Sequence, residues 1–402
     1  MGNQSASQLR SQTDNYVIEI VSATNVPKAD TFSESDPFVR LWVKTADGQK
    51  KGIYEQTLHR RDAADPVWNA VRNMHTTVEH HDVLHVELWD YDYVKKNEIL
   101  ASSEIPINDI GSEARDYKLD KRLDKDNGKD CTIRLRVAPY IPELKRKTIF
   151  LIRHGESKWN AAQEEKNLGA MLHFDHGLNK DGVEQAKELN KLWKEARDKS
   201  EQSEFVKAFL SEKTHVFASP LTRASETALV ALQGHPGMKN SLRLLWTIRE
   251  TKGLGGLDTV GKAVGDEIAP RVLSELTDVV GAEEAKELMV PIEVGACVSP
   301  WWTQADFKDT SKMLDERYHD LLCTLKYTPF ETAILVGHSL FWRNLCKRYV
   351  GDALRAKDKK FAKELTSDKM ENAACLALEF DFRINQIVGA EFLFGTSFHK
   401  KK

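Results

Sequence analysis

The stretch FLIRHGESKWN, residues 150–160, carries the chain from a run of four apolar residues, Ile149 to Ile152, directly into Arg153, His154 and Gly155. Burying a guanidinium or an imidazole without a partner is costly, so an apolar strand ending on both marks a site at its carboxyl end. The same arrangement recurs in AILVGHSLFW, where His338 stands between an apolar strand and a helical pattern. A third strand precedes FASPLTRASETA, which places Arg223 one turn into the following helix. In a doubly wound sheet the carboxyl ends of the strands gather along one edge, so these four groups can meet there. Two guanidinium groups, two imidazoles and nearby helix N-termini suit a tetrahedral oxyanion carrying about two charges, and phosphate fits best. One histidine at a strand end is more often a structural residue; the pair, joined by two arginines, points to function.

Outward from this stretch the periodicity divides the chain. From about residue 148, TIFLI, HVFAS and TAILVG read as strands buried on both faces, while KDGVEQAKELNKLWKEA, PLTRASETALVAL and SLFWRNLCKRYV read as helices. That alternation predicts an α/β three-layer domain with a mostly parallel sheet. Before residue 140 the pattern has period two. In DVLHVELWD, Leu84, Val86 and Leu88 share one face, and in CTIRLRV, Ile133, Leu135 and Val137 do so, which predicts an all-β antiparallel sandwich. PYIPELKRK, with two prolines and then charge, reads as a linker. The expected boundaries are a flexible leader at 1–13, a sandwich at 14–140, a linker at 141–147 and the α/β domain at 148–398.

Composition fits a multidomain globular chain: 402 residues, 41% apolar and 30% charged. Residues 1–140 hold 19 Lys and Arg against 23 Asp and Glu and the remainder 39 against 38, so neither part is basic enough for nucleic acid to be the expected partner. Five cysteines without paired spacing suit a reducing cytoplasm. Gly2, in MGNQSASQLR, offers a myristate acceptor once Met1 is removed, although Ala6 stands where the usual pattern has Ser or Thr. The other reading of that stretch is a disordered polar leader.

The motifs RHGESKWN, FDHGLNKDGVEQA, ASPLTRASETA and VGHS resemble, in order and spacing, the histidine phosphatase superfamily, the phosphoglycerate mutase-like fold, in its RHG branch. The resemblance implies that His154 is a nucleophile that becomes phosphorylated without any metal. It further implies that Arg153, Arg223 and His338 hold the phosphoryl oxygens, with Asn160 a substrate-binding helper. Glu250, in LLWTIRETKG, falls where many members keep the acid that protonates the leaving oxygen; Asp175 and Glu156 are weaker candidates. A surface glutamate paired with Arg249 is the other reading of Glu250. The glycolytic mutases carry Asn-Glu-Arg-His-Tyr-Gly where this chain has IRETKGLGG, which favours hydrolysis over phosphotransfer; an idle phosphate-binding adaptor is the remaining alternative. Trp301 and Trp302 read as core or as pocket lining.

In the first part, ADTFSESDPFVRLWV, HRRDAADPVWN and LWDYDYVKKNE resemble the C2 domain, the calcium-dependent phospholipid-binding sandwich. The resemblance implies calcium held by Asp30, Asp36, Asp90, Asp92 and Glu98, five carboxylates that would otherwise repel one another. Two positions depart from the pattern, Glu98 where Asp is usual and Lys95 where a serine ligand is frequent. Phe32 and Val94 at the loop tips, with Lys50 and Lys51 beside Lys44, Arg60 and Arg61, would meet an anionic phospholipid surface. The expected partners are therefore a phosphorylated substrate and a membrane, and the expected location is cytoplasmic and peripherally membrane-bound. His75, His80, His81 and His85 invite a zinc reading, but strand alternation separates His80 from His81 and His85 and no cysteine is nearby.

Overall fold

The computed structural model describes residues 16–29, 33–92, 95–121, 129–138, 145–253, 257–302 and 308–399. The leader with Gly2, the positions Asp30, Phe32 and Val94, and residues 141–144 of the expected linker lie outside the described residues. Two compact units divide the chain. The first draws on Met1–Glu143, Val298–Trp301 and Asp315–Pro329; the second draws on Leu144–Cys297, Trp302–Leu314 and Phe330–Lys402.

Eight strands build the first unit: β1 (Val17–Thr24), β2 (Pro37–Lys44), β3 (Lys50–Gln56), β4 (Val67–Asn73), β5 (Val83–Asp90), β6 (Glu98–Pro106), β7 (Arg115–Lys121) and β8 (Cys131–Val137). They pair in the order β3-β2-β5-β6-β7-β8-β1-β4, and every pairing is antiparallel. The alternation read from the sequence is the reason: Leu84, Val86, Leu88, Ile133 and Leu135 are fully buried in one core, while His85 and Glu87 face the other way. A segment distant in sequence completes this unit. Cys323 and Tyr327, from the helix Ser311–Tyr327, join Val17, Val71 and Ala138 in a second small core.

Beside that core, Arg72 is buried and donates to Asp320 at 2.6 Å and to the Gln56 and Val71 carbonyls, both at 2.8 Å. Removing one partner of a buried ion pair leaves the other charge without compensation, a cost of about 3–5 kcal/mol. Asp320→Ala is expected to destabilise the unit near the lower end of that range, because Glu55 lies 3.7 Å from Arg72 and softens the loss. Urea unfolding measures it, and a change below about 1 kcal/mol would mean the pair is solvated.

The second unit holds β9 (Arg146–Arg153), β10 (His215–Ala218), β11 (Leu242–Leu244), β12 (Ile292–Glu293), β13 (Thr332–Gly337), β14 (Cys375–Asp381) and β15 (Gln386–Leu393), in the order β12-β11-β10-β13-β9-β14-β15. The sheet is mixed. The pairings from β12 to β9 are parallel, whereas β14 pairs antiparallel with both β9 and β15. The C-terminal hairpin was not legible as antiparallel because its apolar run CLAL reads like any strand buried on both faces. β9 begins at Arg146, inside the stretch expected to be linker, because Arg146 bonds Asp381 and Glu379 across the β9–β14 ladder. The helices Lys180–Arg197, Thr222–Ala231 and Ser339–Tyr349 fall where the 3.6-residue period placed them. Among the described residues, no helix is long and apolar enough to cross a membrane.

Candidate active site

Strand register assembles the site. Arg153 is paired with Gly337 across β9 and β13, and the next residues on the two strands are His154 and His338. The His154 N–H donates to the Gly337 carbonyl at 2.9 Å, and the two imidazole centroids lie 5.1 Å apart. On the other side of β13, the Ser219 N–H bonds the Val336 carbonyl, and Ser219 Oγ lies 2.8 Å from His338 Nε2. Four residues after β10 ends, the helix Thr222–Ala231 begins, carrying Arg223 in its first turn. Gly155 allows the chain to leave β9 closely: a Cβ there would stand 2.4 Å from the Gly182 carbonyl oxygen.

Arg153, His154, Arg223 and His338 are all buried, with at most 5% of each residue exposed. Arg153 Nη1 donates to the Met370 carbonyl at 2.7 Å, and its buried Nε has no hydrogen-bond partner among the described residues. Burial pulls the Arg153 guanidinium down to about 10, so it stays charged at neutral pH. Arg223 donates to the Asp258 carbonyl at 2.8 Å and meets the Asp258 carboxylate at 3.4 Å. Burial, then the charges of Arg223 and Arg153, hold His154 well below the usual histidine range, so its ring is neutral. His154 Nδ1 lies 2.6 Å from the Gly155 carbonyl, which can only accept. Nδ1 therefore carries the proton, and Nε2 keeps its lone pair.

Glu250 is recessed in the same region. Its Oε1 accepts the Thr251 and Phe341 N–H groups at 2.7 and 3.1 Å, while burial raises its pKa above the ordinary carboxylate range. Arg249 does not neutralise it, because Arg249 pairs with Asp309 at 3.2 Å. The other acids have structural roles. Asp175 accepts the Thr222 N–H at 2.8 Å and so caps the Arg223 helix, whose own N-cap residue, Leu221, has no capping oxygen. Glu156 accepts the side chain of Asn179, which caps the helix Lys180–Arg197.

Asn160 is placed differently from the substrate-binding role expected of it. It forms a capping box with Ser157 at the start of the helix Lys158–Glu164, its Oδ1 accepting from the Ser157 N–H at 3.2 Å. The spacing Ser157-x-x-Asn160 held that signal. Trp301 and Trp302 are both buried. Ser219, Asp258 and the Met370 carbonyl were missed, since each reaches the site through tertiary topology rather than through a motif.

In the first unit, Asp36 precedes β2, Asp90 ends β5, Asp92 lies two residues beyond it and Glu98 begins β6. The Asp36 N–H donates to Asp90 Oδ1 at 2.6 Å, and Glu98 is the cross-strand partner of Asp90. Asp36 Oδ1 in turn accepts the Asp62 N–H at 2.8 Å. Among the described residues no three acidic, histidine or cysteine side chains form a group at metal-binding spacing. The basic patch is smaller than expected: Arg60 is buried, Lys44 bonds Glu104, and Lys51 is bracketed by Glu79 at 3.2 Å and Asp82 at 3.0 Å. Lys50 is exposed and lies 3.5 Å from the Tyr54 ring centroid. His85, one of the zinc candidates, instead sits between Glu87 and Glu104 at 3.4 and 3.2 Å.

Next to Arg223 on the same helix, Glu226 is fully buried beneath Asp175 and Glu275, with Oε2 accepting the Leu178 N–H at 2.5 Å. Burial raises its pKa well above the carboxylate range, and the neighbouring carboxylates add to the shift. The unfolded chain releases this proton near the ordinary value, about 4.3, while the folded chain retains it. Stability is therefore full below that pH and declines as pH rises towards the folded value. Glu226→Gln does not titrate, so its melting temperature relative to wild type should rise between pH 5 and pH 8. A pH-independent difference would show that Glu226 is ionised in the fold.

Comparison with known proteins agrees with the motif reading. Residues 15–122 match the family model of the C2 domain, and residues 149–251 match that of the histidine phosphatase superfamily (branch 1). Synaptotagmin-5 of Arabidopsis thaliana is 32% identical over 82 residues, covering 20% of this chain and 14% of that protein. Cytosolic phospholipase A2 delta of Mus musculus is 27% identical over 93 residues, covering 23% of this chain and 11% of that protein. The match thus spans only a small part of either curated relative. Among solved structures, an Escherichia coli K-12 protein assigned as an alpha-ribazole-5'-P phosphatase aligns with 17% identity and a TM-score of 0.35, covering 62% of this chain and 96% of that one.

Proposed function

For a chain that joins a C2 domain to a histidine phosphatase superfamily segment, we propose hydrolysis of a phosphomonoester through a phosphohistidine intermediate. One observation carries this reading: a neutral His154 whose Nε2 lone pair is left available between two buried, charged arginines. Nε2 attacks phosphorus, and the bond from phosphorus to the ester oxygen breaks. Arg153, Arg223 and His338 stabilise the charge spreading over the other phosphoryl oxygens. Glu250, whose pKa burial raises, gives a proton to the leaving oxygen. Water then attacks the phosphohistidine, Glu250 takes a proton from it, and phosphate leaves. The chain's own residues carry every step.

The test is hydrolysis of p-nitrophenyl phosphate and of an alkyl phosphate by the full chain. His154→Ala should lose activity on both by at least about a thousandfold. Glu250→Gln should lose far more on the alkyl ester, because p-nitrophenolate leaves with little help from an acid. Equal losses on the two esters would remove Glu250 from the proton-transfer role, and an active His154→Ala would remove the nucleophile.

For the sandwich, we propose binding of calcium and anionic phospholipid at the rim that carries Asp36, Asp90, Asp92 and Glu98. All-oxygen donors suit a hard cation, and the backbone bonds described above hold the Asp36 and Asp90 carboxylates in place. This places the chain peripherally on a cytoplasmic membrane face, where myristate at Gly2 would add a second anchor. Sedimentation with phosphatidylserine vesicles should require calcium and be lost in Asp92→Asn. Sedimentation that persists in a chelator and disappears in Lys50→Glu would replace the ion with fixed charge as the cause.

A further inference from the structure

Residues 355–363, RAKDKKFAK, hold five cations against one acid, Asp358. They span the end of the helix Asp352–Lys357 and the start of the helix Lys359–Ser367, and Arg355, Lys357, Lys359, Lys360 and Lys363 are all exposed. Burial fixes which way the second helix turns. Ala362 and Leu365 are its buried residues, and it packs against the helix Ser339–Tyr349. At 3.6 residues per turn, Lys359, Lys360 and Lys363 fall within about 100° of one another on the opposite side, so their charges face outward together. Asp358 is occupied in capping this helix, its Oδ1 accepting the Phe361 N–H at 2.9 Å. Of the flanking acids, Asp352 reaches none of these cations and Glu364 stands 3.8 Å from Lys360. Arg355, Lys357, Lys359 and Lys363 have no carboxylate within ion-pair distance among the described residues.

Two features of this array cost local stability. Lys359 and Lys363 stand one turn apart, where like charges repel, and Lys359 and Lys360 occupy the first turn of a helix, the end at which the macrodipole disfavours cations. All five side chains are exposed on two short helices, so they meet a surface rather than enclose a small anion. Nucleic acid is the weaker match, because the chain after residue 140 balances 39 Lys and Arg against 38 Asp and Glu and exerts little long-range pull on a polyanion. We propose that this face of the second unit docks on a membrane that carries polyphosphoinositide headgroups. Their clustered phosphates match cations one helical turn apart better than the single net charge of phosphatidylserine does. The contact is made by fixed charge and requires neither calcium nor the catalytic residues.

The test sediments the full chain, in a chelator, with vesicles of phosphatidylcholine and phosphatidylinositol bisphosphate. Wild type should sediment, and less so as salt is raised. Lys359→Gln combined with Lys363→Gln should lower the partition coefficient about twenty-fivefold, roughly fivefold for each charge removed. Lys359→Arg combined with Lys363→Arg, and Lys50→Glu in the first unit, should bind as wild type does. The glutamine pair relieves both the repulsion and the conflict with the dipole, so its melting temperature should not fall, and lost binding then reports charge. Wild type left in the supernatant overturns the proposal, as does a glutamine pair that sediments like wild type. A single-stranded oligonucleotide that binds more tightly than the vesicles, and is lost in the glutamine pair, overturns it in favour of nucleic acid. If p-nitrophenyl phosphate is not hydrolysed while the vesicle result holds, the phosphatase reading fails and this surface stands.

Discussion

The hydrogen bond from the His154 N–H to the Gly337 carbonyl, 2.9 Å long, sets the parallel register on which the second unit depends. With Arg153 opposite Gly337, both histidines follow their strands at the same level of the sheet. A slip of one residue would turn each side chain to the opposite face and separate the imidazoles. Gly337 makes a close approach possible, since a Cβ there would stand 2.6 Å from Trp342 Cζ2, and Trp342 packs the start of the helix that follows His338. The chemistry is thus positioned by backbone pairing, with side-chain contacts refining it.

Around that register, burial assigns opposite proton states to the two groups that need them. Low dielectric disfavours whichever form is charged, so it lowers the pKa of the His154 imidazole and raises that of the Glu250 carboxyl. The nearby arginines reinforce the first effect and oppose the second, because positive charge repels imidazolium and attracts carboxylate. One environment thus shifts the two groups in opposite directions, as the proposed roles of nucleophile and acid would need. The same desolvation explains Glu226, where it acts on a carboxyl near two others and raises its pKa on the very helix that presents Arg223.

Much of this was legible in the sequence, and what was not has a physical reason. Arg153, His154, Arg223 and His338 could be read because each follows a strand or opens a helix within a few residues, so local pattern suffices. The sandwich could be read because its alternation leaves Leu84, Val86 and Leu88 no other face to bury. Asp258, Ser219 and the Met370 carbonyl could not, as their roles exist only after the sheet has brought distant segments together. Asn160 was assigned to substrate although its spacing from Ser157 fits a helix cap equally well. Arg60 and Lys51 were counted as surface charge although one is buried and the other is bracketed by two carboxylates. A lysine on a strand is read from the sequence as charge, but only the folded neighbours decide whether that charge is available.

That distinction between charge and available charge also organises the active site. A buried arginine with a bidentate carboxylate is a structural element, and Arg249 with Asp309 behaves so, fixing the backbone beside Glu250 through the Lys252 N–H at 2.8 Å. A buried arginine held only by a carbonyl keeps most of its field, since a dipole neutralises far less than an ion. Arg153 is of this second kind, and the carbonyl it bonds belongs to the loop that presents Lys369. The fold has therefore oriented these cations without neutralising them, an arrangement whose self-repulsion is relieved when an anion binds.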